Sequence, residues 1–336
     1  MDWSFAWLIA LLLLALLAGG YLMSRMPGSS HSGPLPPLTS AESDLRERLQ
    51  EHVRVLAAEI GERNIWGPQS LSAAADYLEA QLVSAGYTVQ SQGYNVSRTE
   101  ARNLEVEIRG GESPGEIVLV GAHYDSIIGS PGANDNASGV AAMLELARLL
   151  RDSRPTRTLR LVAFVNEEPP FFQTAQMGSL VYARRSRERG ERIVAMLSLE
   201  TLGYYTQAEG SQAFPLPLLR LFYPSHGNFL AFVGDLGSRR LLQKALVSFR
   251  RHAAFPSQGL CAPAKVTGVD WSDQWSFRQQ GYPAIMVTDT ALFRYPHYHA
   301  PEDTPQHLDY AGLARVTTGL AAVVSELAEG APTDGH

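Results

Sequence analysis

The sequence predicts an α/β fold: one domain with a central mixed, mostly parallel β-sheet flanked by helices, preceded by an N-terminal transmembrane helix. Three observations predict it. Short apolar runs recur along the chain with helical patterns between several of them. The 336 residues are 45% hydrophobic and 18% charged, as an ordinary globular core requires. The chain also opens on a long apolar stretch, Phe5 to Met23, without a charged residue.

As a helix that stretch is about 28 Å long, close to the thickness of a bilayer core. A cleaved signal peptide is the competing reading, but it usually has a basic segment first, and here only Met1, Asp2, Trp3 and Ser4 precede. Residues 1–24 are therefore expected to be an anchor or uncleaved signal. Flanking charge leaves the topology open, whereas a single-pass anchor followed by a stalk suits a catalytic domain outside the cytoplasm. Residues 25–40 (MPGSSHSGPLPPLT over 26–39) have no apolar period and several prolines, the composition of a spacer. No comparable linker interrupts 41–330, which is expected to be one domain, with 331–336 a disordered tail.

Within that domain Ala41 to Gly61 and Ser70 to Ala85 place apolar residues three and four apart, as amphipathic helices do. Strands are expected at Leu104–Ile108, Ile117–Ala122, Leu159–Phe164, Ile193–Leu199, Phe229–Val233 and Ala284–Thr288. Helical patterns occupy Gly139–Leu150, Ser238–Arg251 and Tyr310–Leu327. A formal net charge of −6 and the lack of a basic stripe argue against a nucleic-acid partner. The single cysteine, Cys261, forbids an intrachain disulfide and reads as a small buried hydrophobe.

Five segments end or interrupt apolar runs with metal-binding side chains: GAHYDS (His123), GANDNASG (Asp135), NEEPPFF (Glu167, Glu168), SLETLGYY (Glu200) and YPHYHAPEDT (His299). His123, Glu167 and Glu200 stand at or just beyond strand ends, where α/β sheets collect functional groups. Two residues on, Asp125 faces the same side as His123 and is placed to accept its free imidazole N–H. Asp135 sits in a tight loop ahead of a helix, suited either to capping or to bridging two cations. Adjacent Glu167 and Glu168 after an apolar strand repel each other unless a cation compensates, so one can ligate while its neighbour handles a proton. Two imidazoles and three carboxylates with a spare carboxylate match a pair of zinc ions sharing a water. His297 and His299 alternate onto the same side, so spacing does not choose between them.

These segments, with the MGS after NEEPPFF and with SDQWSF, closely resemble the zinc-dependent M28 peptidases, and the likeness runs from about Leu45 to Leu327. The resemblance implies a zinc-exopeptidase domain holding two Zn2+. His123 and Glu200 would bind one ion, Glu168 and His299 the other, with Asp135 bridging and Glu167 as general base. It chooses His299, because the family histidine precedes the A-P-E-D-T segment. Asp125 is then an outer partner of His123, Asp273 belongs to the S-D-Q segment beside the site, and Asp303 helps order the loop around His299. Two departures stand out: many members have Asp where Glu200 stands, and the family's S-D-H appears as Ser272, Asp273, Gln274. Phe171, Phe172, Tyr204 and Tyr295 are expected to line a pocket for an apolar substrate side chain. The implied activity is removal of N-terminal residues from peptides. A glutaminyl-cyclase-like aminoacyl transferase and a noncatalytic membrane-tethered binding module are the alternatives, the latter expecting lost ligands that this sequence retains.

Overall fold

The computed structural model describes residues 7, 11, 17–96 and 99–330. Most of the Phe5–Met23 stretch and the 331–336 tail lie outside the described residues, although 17–24 are helical. Among the described residues one helix, Tyr310–Glu329, is long and apolar enough to cross a membrane, and its apolar window is 56% buried against the rest of the fold.

Eight strands form one sheet. In chain order they are β1 (Gln90–Val96), β2 (Thr99–Ile108), β3 (Ser113–His123), β4 (Arg157–Phe164), β5 (Arg192–Glu200), β6 (Leu230–Gly234), β7 (Ser257–Cys261) and β8 (Ala284–Thr288), arranged β1-β2-β4-β3-β5-β8-β6-β7. The central pairs β4/β3, β3/β5 and β5/β8 and the outer pair β6/β7 are parallel, while β1/β2, β2/β4 and β8/β6 are antiparallel. The helices are α1 (Ser40–Val53, continued by π-helical turns over Arg54–Ile60), α2 (Pro68–Ser84), α3 (Gly139–Leu150), α4 (Gly178–Glu188), α5 (Arg239–His252), α6 (Gln274–Gln279) and α7 (Tyr310–Glu329).

Side-chain alternation splits the strands between two layers. Val118, Val120 and Ala122 of β3 with Leu159, Leu161 and Ala163 of β4 join the larger core, which includes apolar residues of α1, α2, α3, α5 and α7. Ile117 and Leu119 with Val162 and Phe164 point the other way, packing with Tyr182 of α4 and Phe277 of α6. Both faces being covered, the central strands read as continuous apolar runs, as parallel strands do.

The 25–38 segment differs from a free spacer. Its proline-extended backbone leaves carbonyls unpaired, and arginines of the domain take them. Arg239 donates to Arg25 O (3.2 Å), Arg250 to Pro27 O (2.7 Å) and Gly28 O (2.9 Å), and Arg315 to Pro36 O (2.6 Å). Ser257 N donates to Ser30 Oγ (2.9 Å), and Met26 packs against the core. The segment is a strap laid along α5, β7 and α7. The next residue, Thr39, caps α1 reciprocally with Glu42.

Candidate metal centre

The parallel strands β3, β4 and β5 deliver their ends to one edge of the sheet. His123 is the last residue of β3, Glu200 the last of β5, and Glu167 and Glu168 follow the end of β4. Asp135 lies in the turn before α3, and His299 arrives on the loop after β8 with a left-handed φ of 58°. Held there against its own backbone preference, His299 is over-determined by its surroundings.

Two triads share Asp135. His123 Nε2 stands 3.4 Å from Asp135 Oδ1 and 3.2 Å from Glu200 Oε2. His299 Nε2 stands 3.1 Å from Asp135 Oδ2 and 3.3 Å from Glu168 Oε2. In each triad the ligand atoms lie within 4.8 Å of one another. His123 Nε2, Asp135 Oδ1 and Glu168 Oε1 are buried without a hydrogen-bond partner. Orphaned donors and acceptors of this kind are costly unless a cation takes them, so the residues present fit a divalent metal in each triad. Glu167 Oε2, 3.9 Å from His123 Nε2, joins the cluster while contributing to neither triad.

The supports differ in part from those expected. The Asp125 carboxylate accepts from Glu167 N (3.2 Å) and Glu168 N (3.1 Å) and so fixes the turn that carries the glutamates. It stands 3.7 Å from His123 Nδ1, beyond a hydrogen bond, whereas its own backbone carbonyl lies 3.2 Å from that nitrogen. Asp303 accepts from Asn134 N (2.8 Å), Asp135 N (3.0 Å) and the Tyr295 hydroxyl (3.0 Å), tying the two ligand loops together. Asp273 is fully buried with neither oxygen paired, and burial, opposed by His123, lifts its carboxyl to about 7. Gln274 donates to Val269 O (3.0 Å), anchoring the loop before it. Ser272 Oγ donates to Glu200 Oε2 (2.6 Å), and Ser198 joins that hydroxyl at 2.9 Å, so the longer carboxylate is held from behind.

His297 packs against the ring of His307, with centroids 4.2 Å apart, and joins neither triad. None of the four aromatics expected in a pocket lines the apolar cleft beside the metal centre. Phe171 is buried against Trp66, Phe172 follows it in the same turn, Tyr204 packs on Tyr295, and Tyr295 holds Asp303. The cleft runs from Glu200 and Tyr298 to Phe214, Tyr223, Phe229 and Met286.

Three further residues build the site. Arg63 is fully buried and has no carboxylate partner; it donates to the carbonyls of Tyr124 (2.8 Å), Leu56 (2.9 Å), Gly61 (2.8 Å), Pro131 (2.5 Å) and Gly132 (3.0 Å). It thereby locks the turn carrying Asp135, where a Cβ on Gly132 would meet Asp135 O at 2.3 Å. Replacing Arg63 by Leu strands those carbonyls, and we expect a loss of about 2 kcal/mol or more, read as a lower denaturant midpoint. Asn136 accepts from Thr201 N (3.0 Å) and donates to Leu199 O (2.8 Å), joining the same turn to the end of β5. Tyr298 stacks on His299 (centroids 3.9 Å apart) and lines the cleft beside Glu200. Burial, then Asp135, Glu200, Glu168 and Glu167, push its phenol well above the usual range, so it remains a donor.

Burial dominates the electrostatics of the centre, with the clustered carboxylates adding to it. Burial, against the pull of His123, raises Glu167 well above the carboxylate range, with Glu200 and Glu168 adding to the rise. Burial and Asp135 lift Glu168 to about 7. Burial disfavours the His299 cation, but Asp135 and Glu168 outweigh it and raise the imidazole to about 10. Metal must displace that proton, so metal uptake at neutral pH releases protons and affinity weakens as pH falls. Calorimetric zinc titrations in buffers of different ionisation enthalpy will show it as a buffer-dependent heat.

Residues 103–324 match Peptidase family M28. The chain belongs to this family. It is 37% identical over 289 residues to "Uncharacterized protein YfbL" of Escherichia coli (strain K12), covering 83% of this chain and 87% of the relative. It is 23% identical over 313 residues to "Leupeptin-inactivating enzyme 1" of Streptomyces exfoliatus, spanning 91% of this chain but only 66% of that protein. The fold is shared with BSAP, a zinc aminopeptidase from Bacillus subtilis, at a TM-score of 0.69 and 15% identity, over 86% of this chain and 96% of BSAP. It is also shared with the glutaminyl cyclase of Bacteroides thetaiotaomicron, at a TM-score of 0.63 and 18% identity, over 87% and 100% of the two chains.

Proposed function

We propose that this M28 peptidase is a two-zinc aminopeptidase that removes apolar N-terminal residues, tethered to a membrane by Phe5–Met23 with its catalytic domain outside the cytoplasm. The observation that carries the reading is the pair of triads sharing Asp135, with three buried ligand atoms lacking partners and Glu167 spare beside them. Zinc, when bound, supplies the positive charge that acidifies a water and polarises a peptide carbonyl.

The chain's own groups do the rest. Glu167 takes a proton from the attacking water at a carboxylate oxygen and delivers it to the leaving amine. Asp125, gripping the amides of Glu167 and Glu168, keeps that base from swinging away. The Tyr298 phenol donates to the carbonyl oxygen as negative charge develops there; a Tyr298→Phe enzyme is expected to lose about 10²-fold in kcat with KM little changed. The negative charge of Glu168 and Glu200 favours a free α-ammonium, and the Phe214–Phe229–Met286 cleft accepts an apolar first side chain.

Leucine 4-nitroanilide should be hydrolysed, its N-acetyl counterpart should not, and a chelator should abolish turnover. Equal cleavage of both substrates would refute the exopeptidase reading. The cyclase-like fold supports a second reading, and conversion of N-terminal glutaminyl peptides to pyroglutamyl products without nitroanilide hydrolysis would establish it. The tether is supported by the uncharged run and its helical end at 17–24. Digestion of the domain by protease added to intact cells or spheroplasts is the expected result for an external domain; full protection would overturn that placement.

A further inference from the structure

We propose that the segment Ala213–Pro224 is a second membrane contact, seating the rim of the catalytic cleft on the lipid surface beside the N-terminal anchor; this rests on the anchor reading above. Its sequence, AFPLPLLRLFYP, carries one charge, Arg220, and no acidic group. The segment has two faces. Phe214, Pro215, Leu219 and Tyr223 turn inward to line the cleft, whereas Leu216 and Leu221 turn outward, 41% and 68% exposed. Prolines and a short 3-10 turn over Pro217–Leu221 shape the segment, with Leu219 buried and the two outward leucines exposed.

What covers them is indicated by where the N-terminal stretch meets the domain. Gly20 is buried against Phe222, next to Leu221 in the chain, and a Cβ on Gly20 would stand 2.6 Å from the Phe222 ring. Met23 packs on the cluster that floors the cleft, with Phe229, Val269 and Met286. The strap then ties residues 25–30 to Arg239, Arg250 and Ser257. The domain is thus fastened close to the end of its anchor rather than held away on a tether. Leu17, Tyr21 and Leu22 of the same helix as Gly20 are themselves exposed, at 41%, 49% and 61%. Exposed Arg25 and Arg220 supply the cations that apolar interfacial segments place at headgroup level. An anchor that enters the bilayer from this point leaves the outward leucines at the acyl boundary and the adjoining cleft mouth at the lipid surface.

The test uses the full chain reconstituted in vesicles of phosphatidylcholine and phosphatidylglycerol containing 5-doxyl phosphatidylcholine. Cysteines introduced singly as Leu17→Cys, Leu216→Cys, Leu221→Cys and Glu188→Cys are labelled with bimane. The native Cys261 is buried, and the parent protein controls for its labelling. All replaced side chains are exposed, and retained peptidase activity reports folding. Insertion of about 5–10 Å predicts at least about twofold more quenching at 216 and 221 than at 188, with 17 quenched too. Quenching at 17 with 216 and 221 no different from 188 would overturn the second contact and leave the anchor standing. No quenching at 17 either would remove the anchor reading and this inference together.

Discussion

A Glu167→Gln enzyme is expected to keep its metals and lose about 10²–10⁴-fold in kcat, the range for removing a positioned general base. The amide matches the carboxylate in size but cannot accept the water's proton. Glu167 lies outside both triads, so metal content and KM should change little. The acidic limb of the pH–rate profile offers a second reading of the same residue. Burial raises the Glu167 carboxyl and thus favours its protonated form, and the neighbouring carboxylates add to this. A base must be deprotonated to act, so the wild-type rate falls as pH drops through the pKa of Glu167 in the loaded enzyme, and that limb should vanish in the variant. Turnover within about twofold of wild type would remove Glu167 from the reaction.

Replacing Asp135 by Ala is expected to do more, because each of its oxygens serves a different triad. The variant should fail to hold either metal, and the activity loss should exceed the about 10²–10³-fold typical of losing one electrostatic donor. Ligand-linked stabilisation supplies a readout independent of turnover. Zinc should raise the Tm of wild-type protein by mass action, and that rise should be absent from the variant. Metal-dependent stabilisation of wild-type size in Asp135→Ala would show that the triads do not depend on a shared carboxylate.

How far the sequence discloses this arrangement varies with burial. The spans Gly139–Leu150 and Ala284–Thr288 coincide with α3 and β8, whose residues are mostly apolar and sharply bounded. The two strands without a sequence signal, β1 (QSQGYNV) and β7 (SQGLC), are the two edges of the sheet, where less of the side-chain surface is covered and the pattern stays polar. The charged tail of α4, ARRSRE, similarly masks an apolar face that buries Leu180, Tyr182 and Ala183.

The metal ligands are conspicuous because carboxylates and imidazoles at the ends of apolar strands are anomalous unless something compensates them. Arg63 is inconspicuous for the opposite reason: in GERN, after a helix, a guanidinium reads as solvated, and only the tertiary fold encloses it in carbonyls. Phe171 and Tyr295 lie near the motifs in the chain yet turn into packing and support. The cleft instead draws on 212–223, 258–260 and 267–271, distant in sequence and brought together by β6 and β7. The T-x-x-E capping box at Thr39 marks the true start of α1, inside the stretch whose prolines suggest a spacer.

Anomalous diffraction at the zinc edge from crystals of the zinc-loaded protein tests the dinuclear centre most directly. Two peaks about 3.5–4 Å apart are expected, one bounded by His123, Asp135 and Glu200 and the other by Asp135, Glu168 and His299, with Glu167 coordinating neither. Peaks on other residues, or a single peak with one triad empty at saturating zinc, would contradict it.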